Sequence, residues 1–395
     1  MTAPWPLIEL IEVCESVVDC VNKTAPLAGE VTPYKMLRTT NVRDGYVDTA
    51  NCRFVTREVY EKWTRRQTPR RGDVILTREA PLGEVGMLRD DETVFLGQRL
   101  MSYRADPSKL DANFLLYSLL GPELQAQIRA TGSGSTVEHM RVPDAERLRI
   151  PLPDISTQQR IGTILASYDE LFLNNQRRIA ILEDMARRLF DEWFARCRYP
   201  GHEAVPLVET ELGMVPEGWA PTRLGSLLTL SYGKALKADQ RRAGPVPVFG
   251  SSGMVGEHDQ HLVQGPGIIV GRKGNVGSVH WSSQDFYPID TVFFVETNIP
   301  LRWVYQLLKR QTFLNSDAAV PGLNREQAYA MKVVRPHAEP IGRYSQLVEP
   351  LFQQVELLTI QNTHLRTARD LLLPKLISGE IDVSTAEETF AQAAE

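Results

Sequence analysis

The chain has 395 residues, 43% of them apolar and 24% charged, with a formal net charge of −5. That length exceeds one ordinary core and points to two domains or more, and the acidic total excludes a general polycation. No apolar run approaches the roughly 20 residues of a bilayer span, and the Met1-Thr-Ala-Pro-Trp-Pro start lacks a signal peptide's basic flank and apolar stretch. A cytoplasmic protein with no membrane partner is expected. Cys14, Cys20, Cys52 and Cys197 show no CxxC or metal-ligand spacing and are expected as reduced thiols. His258, His261 and His280 have no Cys nearby and read as scattered histidines rather than zinc ligands.

In chain order, residues 1–150 read as a mixed α/β domain. Residues 71–85 predict a buried strand, a basic residue in a Gly/Pro turn and a second strand. A strand-like run over 95–103 and a helical stretch over 113–128 follow. Thr131-Gly-Ser-Gly-Ser-Thr136 is either a connector or a turn offering N–H groups to a phosphate; without a following Lys it is no nucleotide-binding loop. A long helix is expected over 151–199, from the capping-box pair Ser156 and Gln159 to the Arg198-Tyr-Pro-Gly stop. After a linker at 200–212, a second domain is expected over 213–336. A second long helix opening near Pro340 spans 337–383, and an acidic, disordered tail occupies 384–395.

The chain is written twice. Residues 265–279 repeat the character of 71–85, superposing Arg272 on Arg78, Gly277 on Gly83 and Val279 on Val85. Residues 286–295 and 301–313 answer the strand-like and helical runs of the first domain. A longer match superposes Val137 on Val320, an offset of 183 residues that holds onward through both long helices. A weaker echo opens each half, Trp5-Pro-Leu-Ile-Glu-Leu and Trp219-Ala-Pro-Thr-Arg-Leu.

Both helices carry heptad rows. Leu165, Phe172, Ile179, Ala186 and Trp193 form one row of the first, beside Tyr168, Asn175, Leu182 and Leu189. In the second, Val348, Val355, Asn362, Arg369 and Leu376 lie beside Leu351, Leu358, Leu365 and Leu372, in phase with the first under the same offset. Nearly 40 residues reach roughly 55–60 Å as a helix, and two such seams cover each other most simply as an antiparallel coiled coil. Asn175 and Asn362 are polar seam positions suited to fixing register, and Pro350 and Pro374 predict a kink or fraying. The expected fold is α+β: two globular mixed α/β domains separated by two long antiparallel coiled-coil helices, with a pseudo-twofold internal repeat.

Charge is unevenly spread, with the second domain basic and the C-terminal segment acidic. An acidic total leaves nucleic-acid binding open, because only the contacting face must be positive. In the first domain Lys62, Arg65, Arg66, Arg70 and Arg71 crowd one turn, and Arg38 and Arg78 are further candidates for phosphate contact. In the second, Lys234, Lys237, Arg241 and Arg242 form one basic stretch, Arg272 and Lys273 occupy the repeated turn, and Asn324 and Arg325 follow.

Four phrases carry a resemblance over almost the whole chain, from Trp5 to Val383. They are Arg149-Ile-Pro-Leu-Pro with Ser156-Thr-Gln-Gln-Arg-Ile; Asp169-Glu-Leu-Phe-Leu-Asn-Asn-Gln-Arg-Arg-Ile-Ala-Ile-Leu-Glu; Leu212-Gly-Met-Val-Pro-Glu-Gly-Trp; and Leu372-Leu-Pro-Lys-Leu-Ile-Ser-Gly-Glu-Ile. With the repeat, the sequence resembles the specificity subunits of type I restriction–modification systems. The resemblance implies two target-recognition domains, each reading one half of a bipartite site in double-stranded DNA, with the helices setting the gap. It also implies docking of two modification (methyltransferase) subunits and, in a full system, restriction subunits. S-adenosylmethionine, ATP and Mg are then expected only in those partners, with no cofactor or metal on this chain. The residues agree. No Asn/Asp-Pro-Pro-aromatic tetrapeptide, Walker loop or nuclease-like acidic cluster occurs, and Asp285 and Asp290 near His280 make no convincing metal site.

Overall fold

The computed structural model describes residues 5–132, 138–313 and 322–383. The chain forms two compact units, Met1–Asn174 with Asn362–Glu395, and Asn175–Gln361. The division runs through both long helices, because each helix half is packed into the core of a globular domain. The tail at 384–395 lies outside the described residues.

In the first unit β1 (Leu7–Glu9), α1 (Leu10–Val13) and β2 (Cys14–Asp19) lead to β3 (Lys35–Leu37), β4 (Val42–Arg43), β5 (Gly45–Val47), β6 (Arg53–Phe54) and α2 (Arg57–Trp63). Then come β7 (Val74–Arg78), β8 (Leu82–Met87), β9 (Val94–Leu96), β10 (Leu100–Ala105), α3 (Ala112–Leu120), α4 (Pro122–Thr131), α5 (Val142–Glu146), β11 (Arg149–Pro151) and α6 (Ile155–Phe190). A six-stranded sheet has the order β2-β10-β7-β8-β5-β4, and a smaller one β6-β3-β9. Every residue of β7 is buried, as a strand covered on both faces requires. The run at 95–103, read as one strand, is two strands in different sheets; between them Arg99 takes a φ of 71°. The helical run breaks where Gly121 and Pro122 separate α3 from α4.

The second unit repeats this plan. A hairpin of β12 (Leu207–Thr210) and β13 (Gly213–Pro216) precedes β14 (Ala220–Arg223), β15 (Thr229–Tyr232), β16 (Val246–Gly250) and β17 (Gly253–His258). Next are β18 (Gly267–Gly271), β19 (Val279–Ser282), β20 (Tyr287–Pro288), β21 (Val292–Glu296), α7 (Leu301–Lys309), α8 (Arg325–Ala330), β22 (Lys332–Arg335) and α9 (Ala338–Ile377). The sheet order β15-β21-β18-β19 matches β2-β10-β7-β8, and β16 lies parallel to β20 as β3 does to β9. The weak opening echo is the same device twice: β1 pairs with β11, and β14 with β22.

Each unit packs a stretch of α6 antiparallel to a stretch of α9. In the first, Leu165 and Ile161 join Leu376 and Ile377 in the core. In the second, Ala186, Phe190 and Trp193 join Tyr344, Val348 and Phe352. The seam residues Leu165, Phe172, Asn175, Val348, Leu358 and Asn362 are buried, and Tyr168, Ile179, Leu182, Leu189, Leu351, Val355, Leu365 and Leu372 are half-buried.

Local details differ from the sequence expectations. The α6 cap is Asp154, not Ser156: its carboxylate accepts from the Thr157 N–H at 3.0 Å, the Ser156 hydroxyl at 2.5 Å and the Thr157 hydroxyl at 2.7 Å. These bonds favour the ionised form and hold Asp154 well below the usual carboxylate range. The regular α-helix ends at Phe190 and continues as one π turn over Asp191–Ala195. Helix α9 starts at Ala338, two residues ahead of Pro340, and runs unbroken through Pro350 and Pro374. A proline removes one helical hydrogen bond, and packing of Tyr344, Val348 and Phe352 along the same helix offsets that loss.

Candidate nucleic-acid interface

The repeated turn is built identically by the main chain and differently by side chains. In the first unit Met140 N–H donates to the Arg78 carbonyl at 3.0 Å; in the second, Leu323 N–H donates to the Arg272 carbonyl at 2.8 Å. The flanking bridges Glu79–His139 and Lys273–Gly322 also correspond. Arg78, expected to face DNA, is instead buried, and its Nη1 donates to the Met140 carbonyl at 3.1 Å. It ends a strand whose every residue is covered, so its guanidinium is part of the interior.

Arg272 lies one residue beyond its strand and stays near the surface. Its Nε and Nη2 donate to the Asp290 carbonyl at 3.2 and 2.8 Å, and it lies over the rings of Tyr232 and Phe293. Arg325 lies against the same Tyr232 ring. The structure therefore brings Arg272 and Arg325 together, with exposed Lys273 next in sequence and exposed Lys234 two residues after Tyr232. Asn324 serves as the α8 cap, its Oδ1 accepting from the N–H groups of Glu326 at 2.9 Å and Gln327 at 3.2 Å. Arg241 donates to the Val255 carbonyl and Arg242 pairs with Asp259 at 2.9 Å, so both belong to the β17 side. Lys237 is exposed.

In the first unit the basic turn is anchored by Asp73, which is fully buried. Its carboxylate accepts from Arg104 Nε at 2.7 Å and Nη2 at 2.8 Å, from the Arg70 N–H at 3.0 Å and from Gln67 Nε2 at 3.2 Å. Arg66 pairs with Asp19, and Arg70 with Glu15 at 2.9 Å, both acids on β2. Lys62, Arg65 and Arg71 are exposed and have no carboxylate partner among the described residues. Arg38 is half-buried, and the neighbouring Asn41 side chain is spent on the Arg38 N–H and the Asn51 carbonyl. Residues 133–136 of the Gly/Ser loop lie outside the described residues.

Sequence reasoning missed Tyr232, a strand-end tyrosine like many others, and Arg302, which is nearly fully buried between Trp281 and Phe352. Burial pushes the Cys14 thiol up to about 12 and Cys52 up to about 11, which leaves neither as a nucleophile at neutral pH. Among the described residues no His, Cys, Asp or Glu group is placed to hold a metal ion, and no helix is long and apolar enough to cross a membrane.

Each unit thus joins an α/β head to paired stretches of the two long helices and presents cations on its turns. Residues 4–183 match the family described as type I restriction modification DNA specificity domain. Over most of its length the chain is similar to specificity subunits of type I restriction–modification systems. It is 23% identical over 365 residues to the type I restriction enzyme MjaIX specificity subunit of Methanocaldococcus jannaschii, covering 84% of this chain and 82% of that one. A putative type I specificity subunit of Mycoplasma genitalium is 30% identical over 173 residues, 43% of each chain. The crystal structure of the type I restriction–modification S subunit from M. genitalium shares the fold. Its TM-score is 0.59 at 18% identity, over 95% of this chain and 96% of that one.

Proposed function

We propose that each compact unit reads one half of a bipartite site in double-stranded DNA, and that the two long helices set the gap and dock two modification subunits. The observation that carries this reading is the repeated turn. One main-chain frame is built twice, while its side chains diverge from an interior arginine (Arg78) to a near-surface one (Arg272). Two readers of different half-sites need a common scaffold with unlike tips. Lys62, Arg65 and Arg71, exposed and without a carboxylate partner among the described residues, supply phosphate-facing charge in the first unit. Exposed apolar side chains, Leu171, Ile181 and Met185 on α6 and Leu357, Ile360 and Leu371 on α9, support protein docking along the helices.

This chain then contributes no catalytic group. Partner subunits in the cytoplasm supply S-adenosylmethionine and adenine methylation, and a restriction subunit supplies ATP- and Mg-dependent chemistry. The test is methylome sequencing of the host with and without this gene. Deletion is expected to erase one split, adenine-methylated motif. Retention of every methylated motif would sink the reading.

A further inference from the structure

Tyr232 closes β15 with about half its surface exposed, 51%. Two guanidiniums rest against its ring, Arg272 at 5.3 Å and Arg325 at 5.2 Å from the centroid. Each is attracted by the ring's negative face, yet the two charges repel one another. Among the described residues Arg272 has no carboxylate partner, and Arg325 has only the exposed Glu326 at 3.8 Å.

The arrangement is held from several sides. The Arg272 N–H donates to the Thr291 carbonyl at 2.9 Å, and its Nε–Nη2 edge is fixed on the Asp290 carbonyl. Arg325 opens α8 directly after the capping Asn324, and the Lys273–Gly322 bridge ties the two loops together. Next to Tyr232, Gly233 passes so close to the next turn that a Cβ would sit 2.1 Å from the Ile289 carbonyl oxygen. Any larger residue there would displace the tyrosine.

We infer that Tyr232, Arg272 and Arg325 form a clamp for one backbone phosphate of duplex DNA, with Tyr232 the positioning residue whose ring both guanidiniums rest against. The inference rests on the DNA-reading function proposed above. A phosphate is favoured over a base edge because two guanidiniums meet at one ring with a single exposed carboxylate near them, leaving positive charge that a phosphate neutralises. Among the described residues the Nη1–Nη2 edge keeps N–H groups free to donate to phosphate oxygens. At the corresponding turn of the first unit Arg78 is interior, so no such pair forms there among the described residues.

The test uses the full chain co-expressed with its modification subunits, and two probes: a duplex of random sequence and one bearing the motif found by methylome sequencing. Binding is measured across a salt series. The Arg272→Ala, Arg325→Ala double variant is expected to weaken both duplexes by the same factor. It should also lower the salt slope by about 0.9, the share of the one phosphate that the pair neutralises. Tyr232→Ala should weaken both duplexes less, and Tyr232→Phe, which keeps the ring face, should restore wild-type binding. An unchanged salt slope in the double variant, or a loss confined to the motif-bearing duplex, overturns the clamp alone. A wild-type complex that does not prefer the motif-bearing duplex overturns the DNA-reading function, and the clamp with it.

Discussion

Arg369 Nη1 donates to Asp169 Oδ1 at 2.6 Å, joining α9 to α6 inside the first unit. The other carboxylate oxygen accepts from the Tyr117 hydroxyl at 2.7 Å, and the Asp169 carbonyl accepts from the Tyr46 hydroxyl at 3.3 Å. Burial first, then the charge of Asp169, push the Tyr117 hydroxyl far above the phenol range, so it stays a donor at every working pH. One side chain thus holds a globular head to both helices.

Removing one partner of this ion pair leaves the other charge largely buried, at a typical cost of about 3–5 kcal/mol. Asp169→Ala is expected near the low end of that range, because Asp370 also reaches Arg369 at 2.8 Å. Tyr117→Phe should cost about 1.5–3 kcal/mol. The double variant Asp169→Leu, Arg369→Met should cost less than the sum of its single changes. Urea midpoints for the four chains of that cycle check it, and simple additivity would refute the coupling.

The Asp154 cap predicts a pH dependence. Its folded pKa is lowered by the hydrogen bonds from Ser156 and Thr157. Its stabilisation is therefore complete above the unfolded value of about 3.9 and is lost as pH falls through the folded value. Asp154→Asn keeps a cap that does not titrate, whereas Asp154→Ala should cost about 1 kcal/mol near neutral pH. Thermal melts at about pH 7 and about pH 3 should show wild type losing more ground to the Asn variant on the acid side.

Arg302 should not tolerate lysine. Its guanidinium lies 3.8 Å from the Trp281 ring centroid and 4.4 Å from that of Phe352. It pairs with Glu349 at 3.0 Å and with Glu356 at 2.9 Å, and Glu356 also accepts from the Trp281 indole at 3.1 Å. Lysine cannot stack flat or donate along two directions at once. A loss of about 2 kcal/mol is expected for Arg302→Lys, read from thermal melting, together with a changed indole signal in near-ultraviolet circular dichroism.

Arg78 and the free cations of the basic turn should separate cleanly. Arg78→Ala is expected to destabilise the first unit while leaving the salt slope of DNA binding unchanged. Neutralising Lys62, Arg65 and Arg71 should do the reverse, with stability held within about 0.5 kcal/mol per change and a flatter salt dependence. A steep loss of affinity from Arg78→Ala at full stability would return that residue to the interface.

Periodicity carried the fold further than the site. The offset that superposes Met140 on Leu323 survives because both residues serve the same main-chain bond, whatever side chains surround it. The seam rows were legible because burial on a helix repeats along the chain. Pairing is not local, and there the sequence was silent. Arg66 and Arg70 look free, but their acids, Asp19 and Glu15, come from a distant strand. Arg78 and Arg272 look alike, yet one ends a fully covered strand and the other sits just past its strand's end. Tyr232 had no signal at all, since only the fold brings two arginines to its ring.

The paired strands at the foot of each head have a consequence for inheritance. Leu7 sits opposite Pro151, and Ala220 opposite Arg335, so the polypeptide enters and leaves each head through one narrow ribbon. A gene conversion with its breakpoints in the two strands of one ribbon would transplant a complete head and leave the ribbon hydrogen bonds, which involve only main chain, intact. Under the proposed function, one such exchange would rewrite half of the recognised sequence in a single step. A lineage could then acquire a new address in DNA without ever passing through a misfolded intermediate.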